Sequence, residues 1–242
     1  RMMLSAYKGM WKNAPFRNAI LSYMFTWGGF MVMQSFFQFY LETYMGIEDT
    51  YIMLSIVVLL FVAAAGFLPA WLYLMRKIGK KASYNIGMGA LALCSLLIML
   101  VQPGHLLFVY ILVFLMSFGV SAAHVVPLSI IPDTIDISRL KSGYDTEGLF
   151  YGFQAFVQKA AVAGFTGLAG LALGWAGYKE AHNGITFPQP ESAIWAIRII
   201  FSAIPALFMG IGVIFMYFMK LDRKQHEQTI EAIKARGAGE DA

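Results

Sequence analysis

The sequence predicts an all-helical integral membrane fold with six transmembrane helices, and three observations predict it. Of 242 residues, 59% are hydrophobic and 13% charged, where soluble chains run near 45–50% and about 25%; the mean hydropathy is +0.63. Six stretches are apolar over the roughly 20 residues a helix needs to cross a bilayer. The 18 Lys and Arg residues outnumber the 14 Asp and Glu and gather on alternate connectors. The runs are too long and too uniformly apolar for the short alternating strands of a membrane β-barrel. A single cysteine, Cys94, excludes an intrachain disulfide framework.

Residues 1–15 read as a cytoplasmic amphipathic segment, and Asn13-Ala14-Pro15-Phe16 opens the first helix with Pro15 in its first turn. The start at Arg1 reads as the beginning of a fragment. The bundle occupies 16–219, with spans at 16–40, 52–74, 84–101, 107–131, 149–176 and 193–219. Residues 220–242 form a cytoplasmic tail in which Leu221, Ile230 and Ile233 outline a short amphipathic helix. Fifteen of the 18 basic residues fall on one side: the N-terminal segment, the 75–83 and 132–148 connectors and the tail. The positive-inside rule then puts both termini in the cytoplasm. The basic charge is accounted for by topology, so nucleic-acid binding is not invoked. Trp11, Trp71, Trp175 and Trp195 fall near span ends, as an interfacial aromatic belt requires. Arg198, just inside the last span, is expected to extend its head outward.

Ionisable and polar residues inside spans are costly in lipid and mark cavities or partners. Lys159 lies about ten residues into the fifth span, roughly 15 Å from its cytoplasmic end. Gly152, Ala155, Ala163, Thr166 and Gly170 share its helical face. On the first span Tyr23, Trp27, Gln34 and Gln38 align, a face suited either to sugar and alkyl contacts or to interhelical packing. On the fourth, Ser117, Ser121 and His124 align ahead of Pro127. Gly164, Gly167, Gly170, Gly174 and Gly177 make a seam on which another helix can pack or slide. Hydrolase, phosphate-loop and zinc-ligand motifs are absent, so no enzyme activity, no cofactor and no metal site is expected.

The 131–159 stretch is the most specific. Ile131-Pro132-Asp133-Thr134-Ile135-Asp136 precedes Arg139, Lys141, Asp145, Glu147 and Gly148, and then Phe153-Gln154-Ala155-Phe156-Val157-Gln158-Lys159. By charge alone this is a solvated loop whose carboxylates, three residues apart, pair with nearby cations. The order PDxxD, basic residues, Glu-Gly, then aromatic–Gln–x–aromatic–x–x–Lys resembles the glycoside–pentoside–hexuronide:cation symporters of the major facilitator superfamily, the melibiose permease-like carriers of the sodium:galactoside symporter family. Asn13-Ala14-Pro15-Phe16, the basic Arg76-Lys77-Ile78-Gly79-Lys80-Lys81 loop and Leu173-Gly174-Trp175-Ala176-Gly177-Tyr178 extend the likeness. The resemblance implies helices VII–XII, the C-terminal half of a twelve-helix fold, as two inverted three-helix repeats at 16–101 and 107–219.

What the resemblance further implies is cation-coupled (Na+ or H+) sugar transport by alternating access. An N-terminal six-helix half would be the partner, with a small-molecule substrate and the lipid bilayer of a plasma or inner membrane. Lys159, Gln154, Ala155, His124, Tyr23, Trp27, Gln34, Gln38 and Thr166 would line the substrate and cation cavity. Asp133, Asp136, Arg139, Lys141 and Glu147 would form a cytoplasmic gate network. His124 stands where the melibiose carrier has a cavity tryptophan, and Ala155 where it has a threonine. Val120–Asp133 and Gly79-Lys80-Lys81 also resemble the sodium-coupled lysophospholipid symporters, so a lipid or other amphiphile is the alternative substrate. A non-transporting six-helix membrane subunit is the alternative from another class.

Overall fold

The computed structural model describes residues 11, 13–142, 147–179 and 187–219, with side chains except at 136–142 and 147. The expectations for residues 1–10, the 143–146 connector and the tail from 220 lie outside the described residues. All regular structure among the described residues is helical: α1 (Ala14–Phe39), α2 (Thr50–Ile78), α3 (Lys80–Ile98), α4 (Leu106–Ser142), α5 (Glu147–Trp175) and α6 (Glu191–Tyr217).

Each boundary has a local cause. Asn13 caps α1 by accepting from the Phe16 amide at 3.4 Å, and Pro15 sits in the first turn, where no donor is lost. Asp49 caps α2 through the Tyr51 amide at 2.7 Å. Gly79, at φ +88°, ends α2 and opens α3 as a one-residue corner that an L side chain would strain. Two π-helical turns interrupt the ladder, Tyr40–Tyr44 at the end of α1 and Ile199–Ala203 within α6. The second ends two residues before Pro205, whose ring needs relief from the carbonyl four residues back, that of Phe201 within the wider turn.

Five helices, α2 to α6, are long and apolar enough to cross a membrane. α1 has the length at 26 residues, but its amides, hydroxyls and glycines keep its hydropathy below the other five. α1 is instead the central packing element, in contact with α4, α5 and α6; α3 packs on α4 and α6, and α2 on α4 and α3. The least covered helices are α2 and α5, buried over 11% and 17% of their most apolar windows against 44–50% for α3, α4 and α6.

Three sequence expectations change. α4 continues helically to Ser142, so the PDxxD segment lies on a helix rather than in a connector. Trp71 is not a belt residue: it is fully buried between α2 and α4, and its indole donates to the Phe118 carbonyl at 2.8 Å. Trp175 and Trp195 are exposed. Arg198 does reach toward the end of its span, but its head ends part-buried on protein groups there. It donates to the Met99 carbonyl at 2.7 Å, with its guanidinium 4.6 Å from the Tyr44 ring and 4.4 Å from the Trp195 ring.

Candidate functional site

The polar and aromatic residues aligned along α1 do not act as one face. Tyr23 is buried and hydrogen-bonded to the side chain of Gln154, itself buried, so this pair joins α1 to α5. One turn on, Trp27 lies against Tyr23 with ring centroids 5.6 Å apart and the planes tilted by 33°. Trp27 and Phe30 together grip His124 of α4, at 5.2 Å and 5.4 Å in edge-to-face geometry. His124 remains exposed, and its Nδ1 lies 2.9 Å from the Val120 carbonyl. Gln34 and Gln38, further along α1, are exposed, and Gln38 donates to Glu42 at 2.7 Å.

Those two glutamines border a cavity of about 410 Å³ between α1, α2, α4 and α6. Its walls are almost wholly apolar, with Phe30, Phe37, Phe61 and Phe201, the methionines Met33, Met53 and Met116, and aliphatic Leu54, Val57 and Leu60. Thr50, Gln34 and Gln38 are the polar side chains among the lining residues. Such a space offers dispersion contacts along its length and amide hydrogen bonds at its border. Methionine lets the walls adapt to a flexible occupant. Sequence reasoning found the glutamines but missed the α2 wall, because α2 reads as uniform lipid-facing apolar sequence.

Lys159 is exposed on α5, and among the described residues no hydrogen bond or ion pair reaches its ammonium. Gly152, Ala155, Ala163 and Gly170 on the same helical face are exposed too, while Thr166 is half-buried and returns its hydroxyl to the Val162 carbonyl. The structure therefore separates the α5 residues: Gln154 packs inward against α1, and Ala155 and Lys159 do not. No described residue fills the space over Gly164, Gly167, Gly170 or Gly174.

At the end of the bundle where α2 meets α3, Lys80 donates to both oxygens of Asp133 at 2.8 Å and 2.7 Å, and to the Ser129 carbonyl at 2.7 Å. Asn13 donates to the Thr134 carbonyl at 3.2 Å, tying the start of α1 to the same stretch of α4. Lys81 reaches the Met219 carbonyl at 2.7 Å. Lys80 was not singled out among the sequence candidates. The signal was there in Gly79, whose corner fixes the start of α3 beside α4. The side chains of Asp136, Arg139, Lys141 and Glu147 lie outside the described residues. No group of three or more His, Cys, Asp and Glu side chains suited to a metal occurs among the described residues.

Two further polar clusters escaped the sequence reading because their members are spread over three helices each. Tyr84 of α3 is fully buried, 2.7 Å from the Thr26 hydroxyl and accepting from Ser22 at 2.9 Å; Ser22 also donates to the Gly212 carbonyl of α6 at 2.6 Å. At the opposite end, donors from Tyr40, Arg198 and Tyr44 satisfy the carbonyls of Ile98, Met99 and Val101 where α3 ends.

Residues 3–223 match the family described as MFS/sugar transport protein. An uncharacterized symporter of Synechocystis sp. is 31% identical over 242 residues, covering 97% of this chain and 43% of that protein. The sodium-dependent lysophosphatidylcholine symporter 1 of Homo sapiens is 24% identical over 225 residues, 92% of this chain and 40% of its own. A sphingosine-1-phosphate transporter of Xenopus tropicalis is 26% identical over 228 residues, again 92% of this chain and 43% of its own. The chain thus spans about two fifths of the length of these relatives.

Proposed function

The chain belongs to the MFS/sugar transport protein family, and from that premise we propose that it is the C-terminal six-helix unit of a cation-coupled symporter whose substrate is a single-chain amphiphile. The multi-pass, all-helical architecture and the symporter names of its relatives support the symport reading. The observation that carries the substrate class is the cavity beside α1, long in apolar wall and short in hydrogen-bonding groups. A sugar needs a partner for most of its hydroxyls, since each one buried without a partner costs about 1–3 kcal/mol. An alkyl chain needs none, and gains about 0.8 kcal/mol per buried CH₂.

The unit works against an N-terminal six-helix half that completes the carrier in a plasma or inner membrane, with both termini cytoplasmic. The two halves rock about a site between them. Lys159 presents its charge toward that half, and cation binding there changes the attraction and so the balance between open and closed states. The Lys80–Asp133 pair belongs to the cytoplasmic gate network with Asp136, Arg139, Lys141 and Glu147. His124, Trp27, Gln34 and Gln38 line the path taken by the substrate, with Tyr23, Gln154, Ala155 and Thr166 on the elements that shape it.

The test is uptake by the complete carrier in proteoliposomes under an imposed sodium or proton gradient. Labelled lysophospholipid should accumulate only with a gradient, and Val57→Trp, which fills the cavity, should abolish accumulation. Gradient-driven accumulation of a sugar and not of the lysophospholipid would replace the substrate class. Uptake insensitive to either gradient would remove the coupling.

A further inference from the structure

Arg76, Lys77, Lys80 and Lys81 flank the Gly79 corner between α2 and α3, and no carboxylate occurs from residue 74 to residue 84. Lys80 is paired with Asp133. Lys77 and Lys81 are laid over exposed tyrosines instead. The Lys77 ammonium is 5.9 Å from the centre of the Tyr73 ring on α2, and the Lys81 ammonium 5.7 Å from that of Tyr217 on α6. Lys81 also donates to the Met219 carbonyl just past α6 at 2.7 Å, which fixes its head at the seam between α3 and α6. An ammonium carries three hydrogens, so a further acceptor can still be received. Tyr73 and Tyr217 are 61% and 69% exposed, as suits rings that sit at the headgroup level of a bilayer.

An apolar floor runs inward from this rim. α3 packs on α6 and on α2, and its outward face lies between them. Ile86, Gly89 and Leu93 recur on that face at helical spacing, and all are exposed. A Cβ on Gly89 would meet nothing within 4 Å, so the floor dips between two branched side chains. From Lys81 to Leu93 the helix rises roughly 18 Å, close to the roughly 15 Å depth of one leaflet's hydrocarbon. Charge selects the headgroup. A zwitterionic choline lipid would bring a quaternary ammonium beside Lys77 and Lys81, where the corner offers no carboxylate to receive it; a net anionic headgroup meets no such repulsion.

We propose that the α2–α3–α6 surface is a docking site for one anionic two-chain phospholipid of the surrounding leaflet. Its phosphate sits on the Lys81 ammonium beside Tyr217, Lys77 adds to the attraction, and an acyl chain lies along Ile86, Gly89 and Leu93. None of these residues lines the cavity beside α1. The site stands on the membrane architecture and does not depend on symport or on the substrate class.

The test titrates the complete carrier in detergent with dioleoyl phosphatidylglycerol or dioleoyl phosphatidylcholine and counts bound lipid by native mass spectrometry. The difference between wild type and variant isolates this site from any on the rest of the protein. Phosphatidylglycerol should bind more tightly than phosphatidylcholine. Lys77→Gln and Lys81→Gln should each weaken it by about fivefold, Lys81→Arg should retain it, and Gly89→Trp, which fills the dip, should weaken both lipids. Lys77 is exposed and Gly89 has open space over it, so these two variants keep the test independent of the bond from Lys81 to α6. Lys179→Gln, exposed at the opposite end of the bundle, and Val57→Trp in the cavity should bind phosphatidylglycerol as wild type does. Equal affinity for the two lipids, or binding unchanged in both glutamine variants or in Gly89→Trp, overturns the proposal. So does an equal loss in Lys179→Gln, or a loss in Val57→Trp, which would put the lipid in the substrate cavity. Displacement by inorganic phosphate at matched concentration would mean an anion site without an acyl chain and overturns it too.

Discussion

Glycine is used in two opposite ways in this bundle. Where α3 crosses α4, a Cβ on Gly119 would lie 2.9 Å from the Gly87 carbonyl oxygen, and one on Gly87 would strike Ala122 and press the Trp71 ring. Where α1 crosses α6, Gly212 meets Thr26 and the Ser22 carbonyl. These positions are glycine because two backbones touch, the close approach that small residues permit between membrane helices. Along α5, by contrast, Gly164, Gly167, Gly170 and Gly174 recur at three- and four-residue spacing with nothing within 4 Å. The regular run is the one that the described residues leave uncovered. The scattered glycines are the ones that set the fold. Spacing within one helix shows that a surface is small; only the partner shows whether that surface is used.

Valine substitutions break this comparison most sharply. Gly87→Val and Gly212→Val should each destabilise the carrier by about 3 kcal/mol, the upper range for forcing volume into a packed core, because the obstructing atoms include a second helix's Cβ or backbone. Gly164→Val and Gly167→Val should change the stability of this unit by less than about 0.5 kcal/mol. Thermal unfolding of the purified carrier measures both. Equal losses in the two sets would mean that the α5 face is covered as tightly as the α3–α4 crossing, as the proposed N-terminal half would cover it.

The next largest effect is expected at the end of α3. Arg198 donates to Met99 while lying against two aromatic rings. Arg198→Met keeps much of the volume and removes the donor and the cation–π contacts, for a loss of about 2 kcal/mol. Arg198→Lys should recover only part of it, because a compact ammonium does not match the planar stacking of the guanidinium. Full rescue by lysine would show that charge alone holds this corner.

Arg198 also shows where sequence reading stops. Hydropathy and charge spacing located the helices to within a few residues, because burying a backbone in lipid leaves few alternatives to a helix. The α4 boundary was missed because Pro132 and the charges of the PDxxD segment look like a stop, whereas Asn13 and Lys80 hold that turn from other helices. Trp71 and Arg198 were read from their distance to a span end, which says nothing of their partners. Trp71 finds the Phe118 carbonyl inside and Arg198 the Met99 carbonyl. For the candidate site, the positions of Lys159, His124 and the α1 glutamines along their helices were legible, but not what each of them meets. The pairings were not, because Tyr23 with Gln154, His124 with Trp27, and Lys80 with Asp133 each join residues about 50 to 130 positions apart.

Lys80 tests the charged end of the comparison. Its side chain is 38% exposed against 14% for Asp133, so solvent screens the pair and Lys80→Ala should cost only about 1 kcal/mol. The larger consequence is expected in transport, because the pair ties α3 to the stretch of α4 where the gate network is proposed. Exchange of the two residues, Lys80→Asp with Asp133→Lys, should restore uptake lost in either single variant. Failure of the exchange, with both single variants folded, would detach the pair from gating.

The smallest effect is expected at the fully buried phenol of α3, Tyr84. Tyr84→Phe removes the hydroxyl that Ser22 and Thr26 share, yet neither is stranded: Ser22 still donates to the Gly212 carbonyl and Thr26 to the Ser22 carbonyl. The loss should be about 0.6 kcal/mol, the average found for hydrogen bonds between membrane helices. Ser22→Ala should cost more, because it removes the hydroxyl that lies within hydrogen-bond distance of both the Tyr84 phenol of α3 and the Gly212 carbonyl of α6, at the point where Gly212 brings the backbones together. The order of these two variants in thermal unfolding decides what closes the α1–α6 crossing. If the phenol costs more than the serine, the hydroxyl cluster holds the crossing; if the serine costs more, backbone contact holds it and the phenol only fills the remaining space.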